Sequence, residues 1–259
     1  MQTVTYEGIK KNAESRELIT DFLVVEAPLE ISINQSPFTV VMRTPGNDFD
    51  LIRGLLYVED IYRNTGELLM EIISETTNGF TKIEVSIPED QIGIGYLNKR
   101  SLLSVSSCGI CGKQQLEDFD SPKTKLAKQL SLNLNKLPEM FALMTANQKT
   151  FSLTGGSHAA TVFDANYQML TLKEDIGRHN AVDKCVGALI QSQQLKKGTF
   201  LLVSGRVSYE IITKAFFAKI GTIVAVSACS SLAVDYAKEF GICLIGFSRE
   251  NKATIYSNP

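Results

Sequence analysis

The chain has 259 residues, room for one large domain or two ordinary ones, and its 44% hydrophobic and 21% charged composition excludes intrinsic disorder and fibrous repeats. Twenty-six basic against 28 acidic residues give a formal charge of −2, without the broad positive field that nonspecific nucleic-acid binding relies on, so nucleic acid is not expected as a partner. The longest apolar runs, such as Thr222 to Ala228, suit buried strands and fall well short of the roughly 18–20 residues that span a bilayer, so no membrane association is expected. The opening MQTVTYEGIKKNAESRELIT carries charges where a secretory signal needs an apolar centre, and a cytoplasmic location is expected.

From about Thr20 to Val105 the chain reads as strand-rich. Leu29, Ile31 and Ile33 alternate within Val24 to Ile33, Asn34 to Pro37 make a turn, and Phe38 to Met42 return as the second strand of a hairpin. Thr44-Pro45-Gly46-Asn47-Asp48 supplies breakers and capping oxygens, after which Leu51, Ile52, Leu55 and Leu56 lie on one helical face. Strands Leu69 to Glu75 and Phe80 to Ile87 follow, joined through Asn78-Gly79. Ser106 to Pro122 shows no apolar period and reads as an exposed loop.

Beyond Leu126, strands and helices alternate, which predicts an α/β sheet covered by helices. A helix is expected over Pro138 to Asn147, strands over Phe151 to Phe163 and Met169 to Leu172, and a helix around Ala181, Cys185, Ala188 and Leu189. Strand Thr199 to Ser204, helix Ile211 to Ile220, strand Thr222 to Ser227, helix Leu232 to Phe240 and strand Cys243 to Phe247 complete the series. Ligands of such sheets gather where loops leave the carboxyl ends of the strands. That directs attention to the segments 154–158, 174–180, 204–206, 227–230 and 247–252.

Five cysteines is an odd count, and in a reducing compartment it points to chemistry rather than stapling. Cys185, Cys229 and Cys243 read as buried small apolar residues. Cys108 and Cys111 differ, because Gly109 and Gly112 let the backbone approach a partner and Lys113 favours the thiolate. A zinc site is the competing use, with only His158 and His179 as further ligands, and a thioredoxin-like redox pair is the third. Gly155-Gly156-Ser157 can present amides to a phosphate or simply turn the chain. Asp175 and Arg178 can pair across their loop, and His179 can cap the following helix. Arg178, Arg206, Arg249 and Lys252 fall at loops of one sheet, where together they form an electropositive pocket for a phosphorylated ligand. Neither a Walker loop nor GxGxxG is present.

Taken in order, EAPLEISIN, TPGNDFDLIRGLL, SSCGICGK, TGGSHAA, EDIGRHNAVDK, SGRVSYEIITKA, VSACSSLAVDYAKEFG and LIGFSR resemble the accessory sulfurtransferases of formate dehydrogenase, the FdhD group, over nearly the whole chain. The resemblance implies a small strand-rich N-terminal α+β domain, taken as residues 1–122 ending in the CxxC loop. Residues 123–259 would form a cytidine-deaminase-like three-layer α/β/α domain that binds a cofactor, and the chain would act as a homodimer. It further implies a persulfide-mediated sulfurtransferase, which accepts sulfur from a cysteine desulfurase and passes it to the molybdenum of bis(molybdopterin guanine dinucleotide), for formate dehydrogenase. Cys108 matches the persulfide-bearing cysteine and Cys111 its partner. Phe247, Ser248, Arg249, Glu250, Asn251 and Lys252 match the cofactor-binding stretch, with His158, Arg178, His179, Asn180 and Arg206 completing the pocket; guanosine diphosphate (GDP) is the expected mimic. No resident metal is expected.

Two local departures stand out: Ser227-Ala228-Cys229 where the family has Ser-Ala-Pro, and Glu250-Asn251 where a glycine is usual. A noncatalytic cofactor chaperone and a zinc-stabilised binding domain remain the alternatives. Deamination is not expected, because His158 is followed by Ala159-Ala160 rather than by the glutamate of an HxE motif.

Overall fold

The computed structural model describes residues 1–96, 125–127, 130–249 and 252–259. Strands β1 (Thr3–Lys11) and β2 (Arg16–Val24) form a two-stranded antiparallel ribbon. Strands β3 (Ala27–Ile33), β4 (Ser36–Arg43), β5 (Leu69–Glu75) and β6 (Thr81–Ser86) build a four-stranded sheet in the order β4-β3-β6-β5, with helix α1 (Asp48–Val58) between β4 and β5 in the chain. Leu29, Ile31, Ile33, Ile83 and Val85 bury one face of this sheet against Leu51, Ile52, Leu55 and Leu56 of α1, which is the period-two face meeting the helical stripe. The β3–β4 turn is tighter than expected. Only Asn34 and Gln35 turn, both with positive φ, and Ser36 and Pro37 already pair with β3.

The second half holds helices α2 (Leu137–Asn147), α3 (Lys149–Thr154), α4 (Arg178–Gln191), α5 (Tyr209–Phe217) and α6 (Ser231–Phe240). Its strands are β7 (His158–Phe163), β8 (Met169–Asp175), β9 (Phe200–Val203), β10 (Thr222–Ala225), β11 (Cys243–Arg249) and β12 (Lys252–Ser257). They form one sheet in the order β12-β11-β10-β9-β7-β8, in which β9, β10 and β11 run parallel and the others antiparallel to their neighbours. Alternation along the strands sorts the two faces. Leu201, Val203, Ile223, Ala225 and Leu244 join α4, α5 and α6 in one core, while Phe200, Leu202, Val224 and Ile245 join Leu137, Met140 and Met144 of α2 in another. The half is therefore three layers, helix on sheet on helix, as expected.

Three expectations need correction. Phe151 to Thr154 is helical, not extended, because the Glu174 carboxylate accepts the Thr150 and Phe151 backbone N–H groups (2.8 and 2.7 Å) and so caps α3 from another strand. The α1 N-terminus has no side-chain cap: Asn47 is left-handed (φ 56°), and Asp48 instead takes a two-pronged bond from buried Arg43 at 2.8 and 3.0 Å. Finally, the β1–β2 ribbon and β12 stand where periodicity predicts no strand.

The two halves meet where α1 crosses α4. A Cβ on Gly54 would stand 1.9 Å from the Asp183 carbonyl oxygen, and one on Gly187 1.8 Å from that of Asp50, so backbone lies on backbone at this crossing. Beside it, Lys184 and Asp175 form an ion pair of 2.7 Å, both side chains fully buried. Lys184 also donates to the Thr44 carbonyl (2.8 Å), the Thr44 N–H donates to Asp175 (3.1 Å), and the Ile176 N–H donates to the Thr44 hydroxyl (3.0 Å). No helix among the described residues is long and apolar enough to cross a membrane.

Candidate functional site

Because β7 runs antiparallel to β9, its first residue, His158, arrives at the carboxyl end of β9, next to the loop that carries Gly205 and Arg206. The joint is fixed by backbone: the Ala159 N–H donates to the Ser204 hydroxyl (2.9 Å) and the Ser204 N–H to the Ala159 carbonyl (3.0 Å). Gly205 is glycine for lack of room. A Cβ there would press on His158 Nδ1 at 3.1 Å, with the Arg178 Cβ at 3.5 Å. His158, Arg178 and Arg206 are thus neighbours. Burial, then the Arg178 and Arg206 cations, push the His158 pKa down, with Asp175 opposing, so the ring is neutral at physiological pH.

Arg178, His179 and Asn180 form the first turn of α4, whose N-cap is Gly177, so His179 does not cap the helix. Its Nε2 lies 3.0 Å from the Ser208 hydroxyl and 3.6 Å from Glu210, and burial followed by the nearby Lys214 and Arg178 charges lowers its pKa to about 4. Asn180 holds the fold together, since its amide hydrogens go to the Met42 carbonyl (2.8 Å) and to Asp175 (2.9 Å). Asp175, expected beside Arg178, is held by Lys184 at 2.7 Å.

A second group lies along the same sheet edge, three strand positions away, or about 14 Å at the ordinary spacing. At the end of β11, Phe247 is 52% exposed with a left-handed backbone (φ 49°), Ser248 is buried and Arg249 is exposed; Lys252 pairs with Arg249 in the β11–β12 ladder. The Arg249 Nε donates to the Val226 carbonyl at 3.2 Å. Ser248, Arg249 and Lys252 line a cavity of about 860 Å³ together with Leu134, Leu137 and Phe141. That size is within the range of ordinary ligand pockets, and its lining combines apolar side chains with two cations. Cys108, Cys111, Glu250 and Asn251 lie outside the described residues.

The three described thiols are poor nucleophiles. Cys185 is fully buried, donates to the Ala160 carbonyl (3.1 Å), and burial raises its pKa to about 12; Cys229 is raised to about 11 and Cys243 is raised as well, also by burial. The last two are half-buried, less enclosed than expected. Residues overlooked in the sequence are Ser208 and Glu210 beside His179, and the buried Lys214, which bonds Asp183 at 2.7 Å. The readable sign was Asp183-Lys184, two charges inside the apolar run of α4.

A sheet that gathers a cavity and cations at the carboxyl ends of its parallel strands is characteristic of α/β proteins that bind small ligands. Within that class the chain belongs to the FdhD/NarQ family, whose model matches residues 24–259. The protein of Sulfolobus acidocaldarius named sulfur carrier protein FdhD is 39% identical over 240 residues, covering 92% of this chain and 90% of the relative. Its namesake from Picrophilus torridus is 38% identical over 264 aligned residues, 97% of each chain. A crystal structure from Desulfotalea psychrophila, provisionally called a formate dehydrogenase accessory protein, shares the fold at a TM-score of 0.77 and 19% identity, covering 100% of this chain and 98% of the other.

Proposed function

We propose that this chain is a sulfur carrier that serves a formate dehydrogenase. Cys108 receives sulfur as a persulfide from a cysteine desulfurase: the Cys108 thiolate attacks the terminal sulfur of the donor's persulfide, a new S–S bond forms at Cys108, and the donor cysteine leaves as a thiolate. The substrate that takes the sulfur is the molybdenum of bis(molybdopterin guanine dinucleotide). In this reading, residues 123–259 are the binding domain of cytidine-deaminase ancestry, residues 1–122 carry Cys108 and Cys111, and the chain works as a homodimer. Arg249 and Lys252 hold the phosphates of one guanine nucleotide at the mouth of the cavity, and its sugar and base extend along the same edge towards Arg206 and Arg178.

The observation that carries the proposal is the cavity bounded by Ser248, Arg249 and Lys252 at the carboxyl edge of the sheet. Two facts support it: curated relatives matched over about nine-tenths of the chain are named sulfur carriers, and burial disarms Cys185, Cys229 and Cys243. Intact-protein mass spectrometry after incubation with a desulfurase and cysteine tests the chemistry. The wild type and Cys111→Ala gain one sulfur, whereas Cys108→Ala gains none; the reverse pattern overturns the assignment, and one tightly held zinc lost with Cys108 favours a zinc-stabilised domain instead. GDP is expected to raise the melting temperature, as a ligand of the native state alone does, and Arg249→Ala to reduce that rise. Full dehydrogenase activation by a Cys108→Ser/Cys111→Ser variant favours a noncatalytic chaperone.

A further inference from the structure

Next to the cations, three polar side chains form a line from α5 to α4. The Ser208 hydroxyl lies 2.5 Å from Glu210 Oε2 and 3.0 Å from His179 Nε2. An ionised carboxylate only accepts, so the single hydroxyl proton of Ser208 goes to Glu210. Ser208 then meets the ring with a lone pair, and His179 donates from Nε2. In a neutral imidazole this leaves Nδ1 without a proton.

Independent features agree. Ser208 is the N-cap residue of α5, from which a serine ordinarily accepts a helix N–H, yet it makes no capping bond, and its hydroxyl is turned to His179 and Glu210 instead. The groups around the ring are Arg178 on its own helix, Lys214 and Glu210 on α5, and Glu59 after α1; burial and the two cations outweigh the two carboxylates, and the ring stays uncharged. No described residue bonds Nδ1, while 14% of the side chain remains accessible.

We propose that Ser208 and Glu210 are positioning residues that hold His179 in its Nε2–H form, so that Nδ1 accepts a hydrogen bond from an N–H or O–H group of the ligand at this edge. The inference rests on the reading that a phosphorylated nucleotide binds there. Phosphate oxygens chiefly accept, and arginine and lysine serve them; a bare imidazole nitrogen serves the base or the sugar.

The chain has two histidines, so its nitrogen-15 imidazole spectrum contains two rings, which a His158→Gln variant assigns. At pH 7 the His179 ring is expected to carry its proton on Nε2 and to remain uncharged at pH 5.5. A proton on Nδ1, or a charged ring at pH 5.5, overturns the proposal. Ser208→Ala is expected to shift the tautomer balance and to weaken GDP binding roughly three- to tenfold, the worth of one ordinary hydrogen bond, with inorganic pyrophosphate bound as before. Unchanged GDP affinity, or equal loss for both probes, also overturns it. Should GDP fail to bind the wild-type chain, the nucleotide reading falls, whereas the spectrum still decides the tautomer.

Discussion

His179 and His158 occupy settings that oppose their positive charge, and this links them to stability. Above pH 6.5 the His179 ring is neutral in folded and unfolded chains alike, and its contribution is complete. As pH falls from 6.5 towards about 4, the unfolded ring binds a proton that the folded one refuses, and stability declines; His158, shifted the same way, adds to the decline. Urea midpoints measured at pH 7 and pH 4.5 should therefore diverge less in His179→Gln than in the wild type. Equal divergence would remove His179 from the acid response. The sequence revealed that His158, Arg178 and Arg206 leave strand ends on one side of a sheet, which periodicity alone can show. It did not reveal the partners of each ring, because Ser208 and Glu210 reach His179 only once α5 packs beside α4.

Among the elements, α1 and α4 pack backbone against backbone. Leu51, Ile52, Leu55 and Leu56 announced α1 by their spacing, but nothing local marked Gly54 and Gly187 as a pair. Gly54→Ala would drive a methyl group into the Asp183 carbonyl, and since the obstacle is backbone the helices must separate. A loss of about 3 kcal/mol is expected, read from urea denaturation, against about 1–2 kcal/mol at exposed Gly155, where a Cβ meets nothing within 4 Å and the left-handed backbone (φ 63°) alone sets the cost. The elements that escaped sequence reading share a cause. In α3, Phe151 and Leu153 alternate like a strand, and the helix depends on Glu174, distant in sequence. In β1 and β2 most residues are exposed on both faces, so no buried face imprints a period of two.

Across the whole molecule, the segments TPGND and EDIGRHNAVDK, which read as loop and ligand motifs, prove largely to bind each other. Met42 and Thr44 on one side meet Asp175, Asn180 and Lys184 on the other. Removing one member of the buried Asp175–Lys184 pair strands its partner's charge, so Asp175→Ala is expected to cost about 3–5 kcal/mol. It should also split a single calorimetric transition into two, as the two sheets lose their common fastening. Asp175→Leu/Lys184→Met, which buries no charge, should recover most of the loss; if the single and double variants unfold alike, the pair is not what joins the halves.

The backbone contact between Gly54 and Asp183 also limits how such a molecule moves cargo. Two bodies that touch through main-chain atoms, with charges sealed beside the seam, have no articulation to open and shut like a jaw. Whatever distance separates a sulfur donor from its acceptor has to be crossed without swinging one sheet against the other.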